Sequence, residues 1–349
     1  MSTHENVQIV KDFYAAACRG DKQGLLAVSA EHIKWIGDSS FRDDVLRGLS
    51  GYRRSVPSRW LYDDRGSELF EEITRVEEYY PTRTEARILR EAAKPIGAFV
   101  GTRAIIVEYG AGAAVKTALL VAALDGPAEY LAVDVAEDFM RSSVARLGSQ
   151  FPDLKVGLRV ADFTRDFDLP DGLGAAPRLG FFPGSTFGNL SEDEAVALLR
   201  RMRRQLGKGG RAIIGVDLRK GLDRLLPAYD DRDGVTAAFN LNLLERMNRE
   251  LGANFQPDAF RHEARWNADE FAVEMHIVSL CPQIVMIAGF DFDFRSGESI
   301  HTESSRKYDA ESFTRLTKLG GWDVAELWTD ADRLFAVFGL VAAEPAQGS

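Results

Sequence analysis

Three successive apolar stretches each end on residues suited to binding a nucleoside. VEYGAGAAVKT (107–117) runs into Gly110 and Gly112, VDV (133–135) carries Asp134, and ADF (161–163) carries Asp162 and Phe163. Glycine at a strand–helix turn lets backbone approach a ligand closely. A carboxylate such as Asp134 can accept from both hydroxyls of a ribose. Asp162 can accept from an adenine amino group, and Phe163 can pack on the ring. The third glycine of a dinucleotide GxGxxG would fall at 115, where the residue is Val115. The pyrophosphate fingerprint is therefore incomplete, and a nucleoside without phosphates fits the loop better. Taken singly, each acid reads equally well as a turn or cap residue.

Two further stretches carry polar groups in unusual settings. FFPGSTFGNL (181–190) runs an apolar strand into Gly184, Ser185, Thr186, Gly188 and Asn189. In open α/β sheets this carboxyl end faces the ligand crevice. Asn189 offers a donor and an acceptor, which suits a zwitterionic amino acid, although it could also just cap the following helix. EYYPTRTEA (78–86) sets Tyr79 and Tyr80 against Pro81. Neighbouring side chains on extended backbone point to opposite faces, and Pro81 biases Tyr80 towards that conformation. Thr82 and Glu85 read as a capping box that starts a helix.

These residues need a frame. From 104 onwards, short apolar runs (RAIIVEYG, YLAVDV, LKVGLRVADF, RLGFFPG, RAIIGVDL) alternate with amphipathic helical patterns, one opened by a capping box at Ser191 and Glu194. That alternation predicts a parallel sheet covered by helices on both faces. Residues 38–98 read as mostly helical, with Pro95 placed to end or kink the last helix. Residues 219–290 break the alternation with helices and then antiparallel strands, as an insertion would. WDVAELWTD and LFAVFGLVAAE, joined by a short turn, must pair antiparallel.

The chain has 349 residues, 45% of them hydrophobic and 28% charged, which predicts a globular protein of about two domains. A net charge of −10 argues against nucleic acid or an anionic membrane as partner. The basic run RRMRR (200–204) reads as the solvated face of a helix. Two cysteines and five histidines without metal-ligand spacing predict no metal and fit a reducing, cytoplasmic setting. No signal peptide or membrane-spanning run is expected.

Three strands ending in this way match the pattern of S-adenosylmethionine-dependent methyltransferases. Beyond that, YDDRGSELFEEITRVEEYYPTRTEA, VEYGAG, GSTFGN, AYDDRDGVTAAFN and HTESSRKY together resemble the histidine-specific methyltransferase family of ergothioneine biosynthesis. The likeness runs from about residue 44 to the C-terminus. Residues 1–37 resemble only the opening of a SnoaL-like domain and read as a helical extension. The resemblance implies a Rossmann-like, doubly wound methyltransferase sheet, mostly parallel with an antiparallel last strand, joined to a second, α+β substrate-binding domain. It implies a substrate domain from 38–84 and 219–306, and a cofactor domain from 85–218 and 307–349. It implies conversion of L-histidine to hercynine by three methylations of the α-amine; separately, a monomer is expected. The cofactor contacts it implies are Gly110, Lys116, Asp134, Asp162 and Phe163. On the substrate side, Asn189 and Tyr229 are expected at the α-carboxylate and amine, with Tyr62 near the amine and Thr186 orienting a water or the amine. Tyr79, Glu303 and Ser305 are expected at the imidazole, with Met275 shaping that pocket and Tyr80 left to pack beside Pro81.

Without the resemblance, Lys116 reads as a solvated helix lysine and Glu303 as a surface acid near Lys307. Three alternatives stand beside the main reading. They are an N-methyltransferase for a different amino acid or small amine, a nicotinamide-dependent oxidoreductase, and a non-catalytic binding module. Val115 and the lack of a second phosphate loop weigh against the oxidoreductase.

Overall fold

The computed structural model describes residues 40–112 and 114–343. The expectation of a SnoaL-like helical extension falls on 1–37, outside the described residues. The described residues begin with α1 (Phe41–Leu49), a 3-10 turn (Ser58–Leu61), α2 (Asp64–Ile73), α3 (Pro81–Glu91) and α4 (Ala93–Val100). The stretch TRTEARILREAAKPIGAFV (82–100), expected as a helix that Pro95 ends or kinks, is thus two helices. Pro95 cannot donate to the carbonyl of Glu91 and its ring crowds that oxygen, so α3 stops at Glu91.

A seven-stranded sheet follows in the order β11-β12-β5-β4-β1-β2-β3. Its strands are β1 (Ile105–Tyr109), β2 (Glu129–Asp134), β3 (Lys155–Val160), β4 (Arg178–Phe182), β5 (Arg211–Asp217), β11 (Trp322–Thr329) and β12 (Phe335–Ala342). The first five pair in parallel, while β12 runs antiparallel to both β5 and β11. Helices α5 (Val115–Ala123), α6 (Glu137–Gln150) and α7 (Glu192–Leu206) cross between strands. Strands β1 and β4 sit side by side although β2 and β3 separate them in sequence. The order reverses there, which is where such sheets place ligands. The predicted capping box forms at α7: Ser191 Oγ accepts from the Glu194 amide at 3.3 Å, and Glu194 accepts from the Ser191 amide at 2.8 Å.

The insertion after β5 holds α8 (Leu222–Leu225), α9 (Val235–Leu251) and the strands β6 (Phe260–Asn267), β7 (Ala272–Ser279), β8 (Gln283–Ile287), β9 (Phe290–Phe294) and β10 (Ser299–Arg306). β10, β7 and β6 form a three-stranded antiparallel sheet, and β8 and β9 form a hairpin. α10 (Ala310–Leu319) then leads back to β11. One apolar core draws on α1, α2, Tyr79, Tyr80, α9 and the inserted strands. Two others lie on the faces of the large sheet.

The second expected capping box does not form. Pro81 is the first residue of α3, Tyr80 caps it in helical geometry (φ −70°, ψ −24°), and no side chain accepts there. Glu85 is buried and turns away instead. A proline at the first helical position needs no donor of its own, so the turn at Tyr80 overrides the extended bias expected before proline.

Candidate active site

The glycine loop after β1 has the backbone that only glycine adopts readily, with Gly110 at φ +71° and Gly112 at φ +44°. A Cβ on Gly110 would press on the Phe163 and Phe182 rings at 3.3 and 3.5 Å, whereas one on Gly112 would enter open space. Asp134 closes β2 beside this loop. Its carboxylate accepts from the Gly112 amide at 3.4 Å and the Ala136 amide at 3.1 Å. Burial raises the Asp134 carboxyl above its ordinary range, against those amides. Asp162 accepts from the Thr164 amide and hydroxyl at 2.9 and 2.6 Å, and Phe163 stands edge-on to Phe182 at 5.2 Å. The four groups Gly110, Asp134, Asp162 and Phe163 therefore meet at the carboxyl ends of neighbouring strands.

Lys116 is not a solvated lysine. Its ammonium pairs with Glu85 at 2.7 Å, and the same Glu85 oxygen accepts from the Gly184 amide at 2.8 Å. Gly184 holds φ +88°, and a Cβ there would lie 3.1 Å from Lys116 Nζ and 3.4 Å from Thr186 Oγ1. The α3 glutamate thus ties the glycine-rich turn after β4 to the helix that follows the glycine loop. Thr186 donates to the Pro183 carbonyl at 3.3 Å.

The residues expected on the substrate side form one cluster. Asn189, at the end of the 3-10 turn Thr186–Asn189, donates to Glu303 at 3.1 Å. The Tyr62 hydroxyl faces the same carboxylate and favours its charged form, and its ring packs edge-on to Phe70 and Phe239 at 5.6 and 5.3 Å. Tyr79 stands edge-on to Phe70 and Tyr229, each at 6.2 Å. The Tyr229 and Ser305 hydroxyls are 2.7 Å apart. Met275 is the cross-strand neighbour of Glu303. Burial pushes Glu303 up to about 7, with Lys307 and the Tyr62 hydroxyl pulling the other way. Burial also raises Tyr62, Tyr79 and Tyr229 well above the usual phenol range. All three are therefore neutral phenols near neutral pH.

A β-bulge between His301 and Glu303 sets this geometry. A bulge re-aims the side chains that follow it. Beyond it, Glu303, Ser305 and Lys307 fall on alternate positions and so on one face. Each is buried, which corrects the surface-acid reading of Glu303.

Several participants carried no signal in the sequence. Lys307 donates to Tyr229 at 2.7 Å and Ser305 at 2.8 Å, and pairs with Asp217 at 2.9 Å. Asp217 also accepts from Lys220 at 2.6 Å and from Tyr80 at 2.8 and 3.0 Å. Tyr80 is thus part of a polar network and not only a packing anchor. Arg201, in the run expected to be solvated, is buried. It donates to the Phe163 carbonyl at 2.7 Å, the Thr164 carbonyl at 3.3 Å and Asp166 at 3.1 Å, holding the loop after β3. Glu108 is buried under the glycine loop and accepts from Thr117 at 2.5 Å and Tyr130 at 2.7 Å; burial raises it to about 8. A surface concavity of about 690 Å³ lined by Arg159, Phe167 and Arg178 shares none of the groups described above. Among the described residues no helix is long and apolar enough to cross a membrane.

Comparison with known proteins shows which family the chain resembles. Residues 41–342 match the model of a family described as histidine-specific methyltransferase, SAM-dependent. The histidine N-alpha-methyltransferase of Mycolicibacterium smegmatis is 39% identical over 300 residues, covering 83% of this chain and 91% of that protein. That of Mycobacterium tuberculosis is 36% identical over 301 residues, covering 84% and 92%. Ergothioneine biosynthesis protein 1 of Neurospora crassa is 30% identical over 283 residues, covering 79% of this chain and 32% of that longer protein.

Proposed function

This chain belongs to the histidine-specific, S-adenosylmethionine-dependent methyltransferase family, and from that premise we propose that it converts L-histidine to hercynine by three N-methylations of the α-amine, as a step towards ergothioneine. It is an S-adenosylmethionine-dependent N-methyltransferase. The observation that carries the substrate reading is the buried Glu303, which accepts from Asn189 and is faced by the Tyr62 hydroxyl.

The residues at the strand ends fit the cofactor. Gly112 offers open space for a close approach, and Asp134 and Asp162 set carboxylates beside it for hydroxyl and amino groups. Lys116, at Gly184, suits a carboxylate. S-adenosylmethionine, when bound, supplies an electrophilic sulfonium methyl. The protein's own task is to hold a neutral amine in line with it. An α-amine has a reference pKa of about 7.7–8.0, so a strong base is not needed. Tyr62, a neutral phenol, can accept from the amine without a fixed charge. Positioning and exclusion of water supply the acceleration. Thr186 and Tyr62 offer the departing proton its first acceptors.

In this reading Asn189 and Tyr229 hold the α-carboxylate and amine region. Tyr79, Glu303 and Ser305 recognise the imidazole, and Met275 closes that pocket. The substrate unit is 38–84 with 219–306, the cofactor unit is 85–218 with 307–349, and the protein acts as a cytoplasmic monomer without metal. Mass spectrometry of histidine incubated with enzyme and S-adenosylmethionine is expected to show three added methyl groups. Methylation of a different amino acid, with histidine untouched, would move the reading to that substrate.

A further inference from the structure

The Lys307 ammonium has three protons and three acceptors: Asp217, the Tyr229 hydroxyl and the Ser305 hydroxyl, at 2.9, 2.7 and 2.8 Å. It is fully buried, so no water competes for it. Both hydroxyl oxygens accept from Lys307, so neither can direct its own proton back at the ammonium. The two hydroxyls also share a hydrogen bond of 2.7 Å, which uses one of their two protons. A single O–H remains to be offered elsewhere. Glu303 lies two residues from Ser305 on the same strand face and offers an acceptor.

We infer that Lys307 is a specificity-determining positioning residue, which fixes the protons of Tyr229 and Ser305 so that this pair presents one donor beside the acceptor Glu303. One donor next to one acceptor is complementary to a neutral imidazole, with one N–H and one bare nitrogen. An apolar or purely cationic side chain leaves one or both partners unmatched. Asp217 anchors the ammonium from the end of β5, so the polarity of the substrate pocket is set from the cofactor sheet. The inference rests on the histidine reading proposed for this site.

Lys307→Met keeps the length of the side chain and removes the charge and all three donors. In that variant Tyr229 and Ser305 are free to rotate their protons. The expected result is a rise of about 10- to 100-fold in the KM for histidine. At saturating histidine, kcat should fall less than about threefold. S-adenosylhomocysteine affinity should stay within about twofold of wild type, which also reports that the fold is intact. In a Ser305→Ala background the same substitution should cost less than about threefold further, because part of what Lys307 orients is already gone. Lys307→Gln, which retains a neutral donor, should recover part of the loss. A lowered melting temperature with unchanged KM, or fully additive losses in the double variant, would show a purely structural lysine and overturn the inference. So would loss of S-adenosylhomocysteine binding in both Lys307 variants. Wild-type protein that fails to bind histidine in calorimetry overturns the substrate reading and the inference with it. Wild type that binds histidine beside a Lys307→Met variant of equal affinity overturns the inference alone.

Discussion

Glu303 carries two opposing demands. Burial disfavours its charge, and Lys307 and the Tyr62 hydroxyl recover only part of that cost, leaving the carboxyl at about 7. Its raised value means the ligand-free protein binds this proton more tightly than the unfolded chain does. Stability from this group is therefore greatest below about pH 4.5 and is lost as pH rises towards 7. Glu303→Gln removes the titration while keeping the shape and an acceptor oxygen. The ligand-free variant is expected to be more stable than wild type at pH 8, by about 1–3 kcal/mol, and no more stable at pH 4.5. Histidine should protect it less, because an amide is a weaker acceptor for the imidazole N–H than a carboxylate. Glu303→Ala is expected to lose about 1.5–3 kcal/mol of histidine binding with cofactor binding kept. Thermal melts at the two pH values and calorimetry check these outcomes, and unchanged histidine affinity in the alanine variant would remove Glu303 from the substrate site.

At the scale of elements, the loop after β3, where the cofactor is proposed to sit, depends on α7. Arg201 on α7 holds the Phe163 and Thr164 carbonyls through its planar fork. Arg201→Lys keeps the charge and loses the fork. It is expected to weaken S-adenosylhomocysteine binding about tenfold, ~1.4 kcal/mol, and to leave histidine binding alone. Equal losses for both ligands would mean that the arginine supports the whole fold and not this loop. The same elements show what a sequence can carry. Alternation of strand and helix predicts the sheet because apolar periodicity records burial directly. The glycine loop is legible because its backbone needs glycine. Arg201 is not, because a basic residue on an amphipathic helix gives no sign of which neighbours it will meet. The strand SIHTESSR is equally opaque. Past the bulge it buries Glu303 and Ser305, with Lys307 next on the same face, so it lacks the apolar alternation that marks a strand. Glu85 shows the reverse error: its spacing from Thr82 satisfies a local rule, yet tertiary partners at Lys116 and Gly184 win.

Across the whole molecule, Asp217 is the joint. It ends β5 in the large sheet, and its carboxylate gathers Lys307 from the end of β10, Lys220, and Tyr80 from the start of α3. Its backbone accepts from the Tyr308 amide at 3.0 Å and donates to Ser185 at 2.9 Å. Burial works against the Asp217 charge, but the two lysines outweigh it and hold the carboxyl below its ordinary range. Burial brings Lys220 down to about 8. A buried pair adds little over an apolar substitute, but removing one partner strands the other. Asp217→Ala leaves two largely buried lysines without their counter-charge, and a destabilisation of about 3–5 kcal/mol is expected. Arg232→Ala breaks a surface pair with Glu78 at 2.8 Å inside the proposed substrate unit, where solvent screens the charges; it should change the melting temperature little. The two variants separate a buried counter-charge from a screened surface pair. Because Asp217 ties Tyr80, in the apolar core around α9, to the large sheet, scanning calorimetry of Asp217→Ala is also expected to broaden the unfolding transition or split it in two. A sharp single transition displaced no further than that of Arg232→Ala would show that packing, and not this carboxylate, holds the halves of the site together.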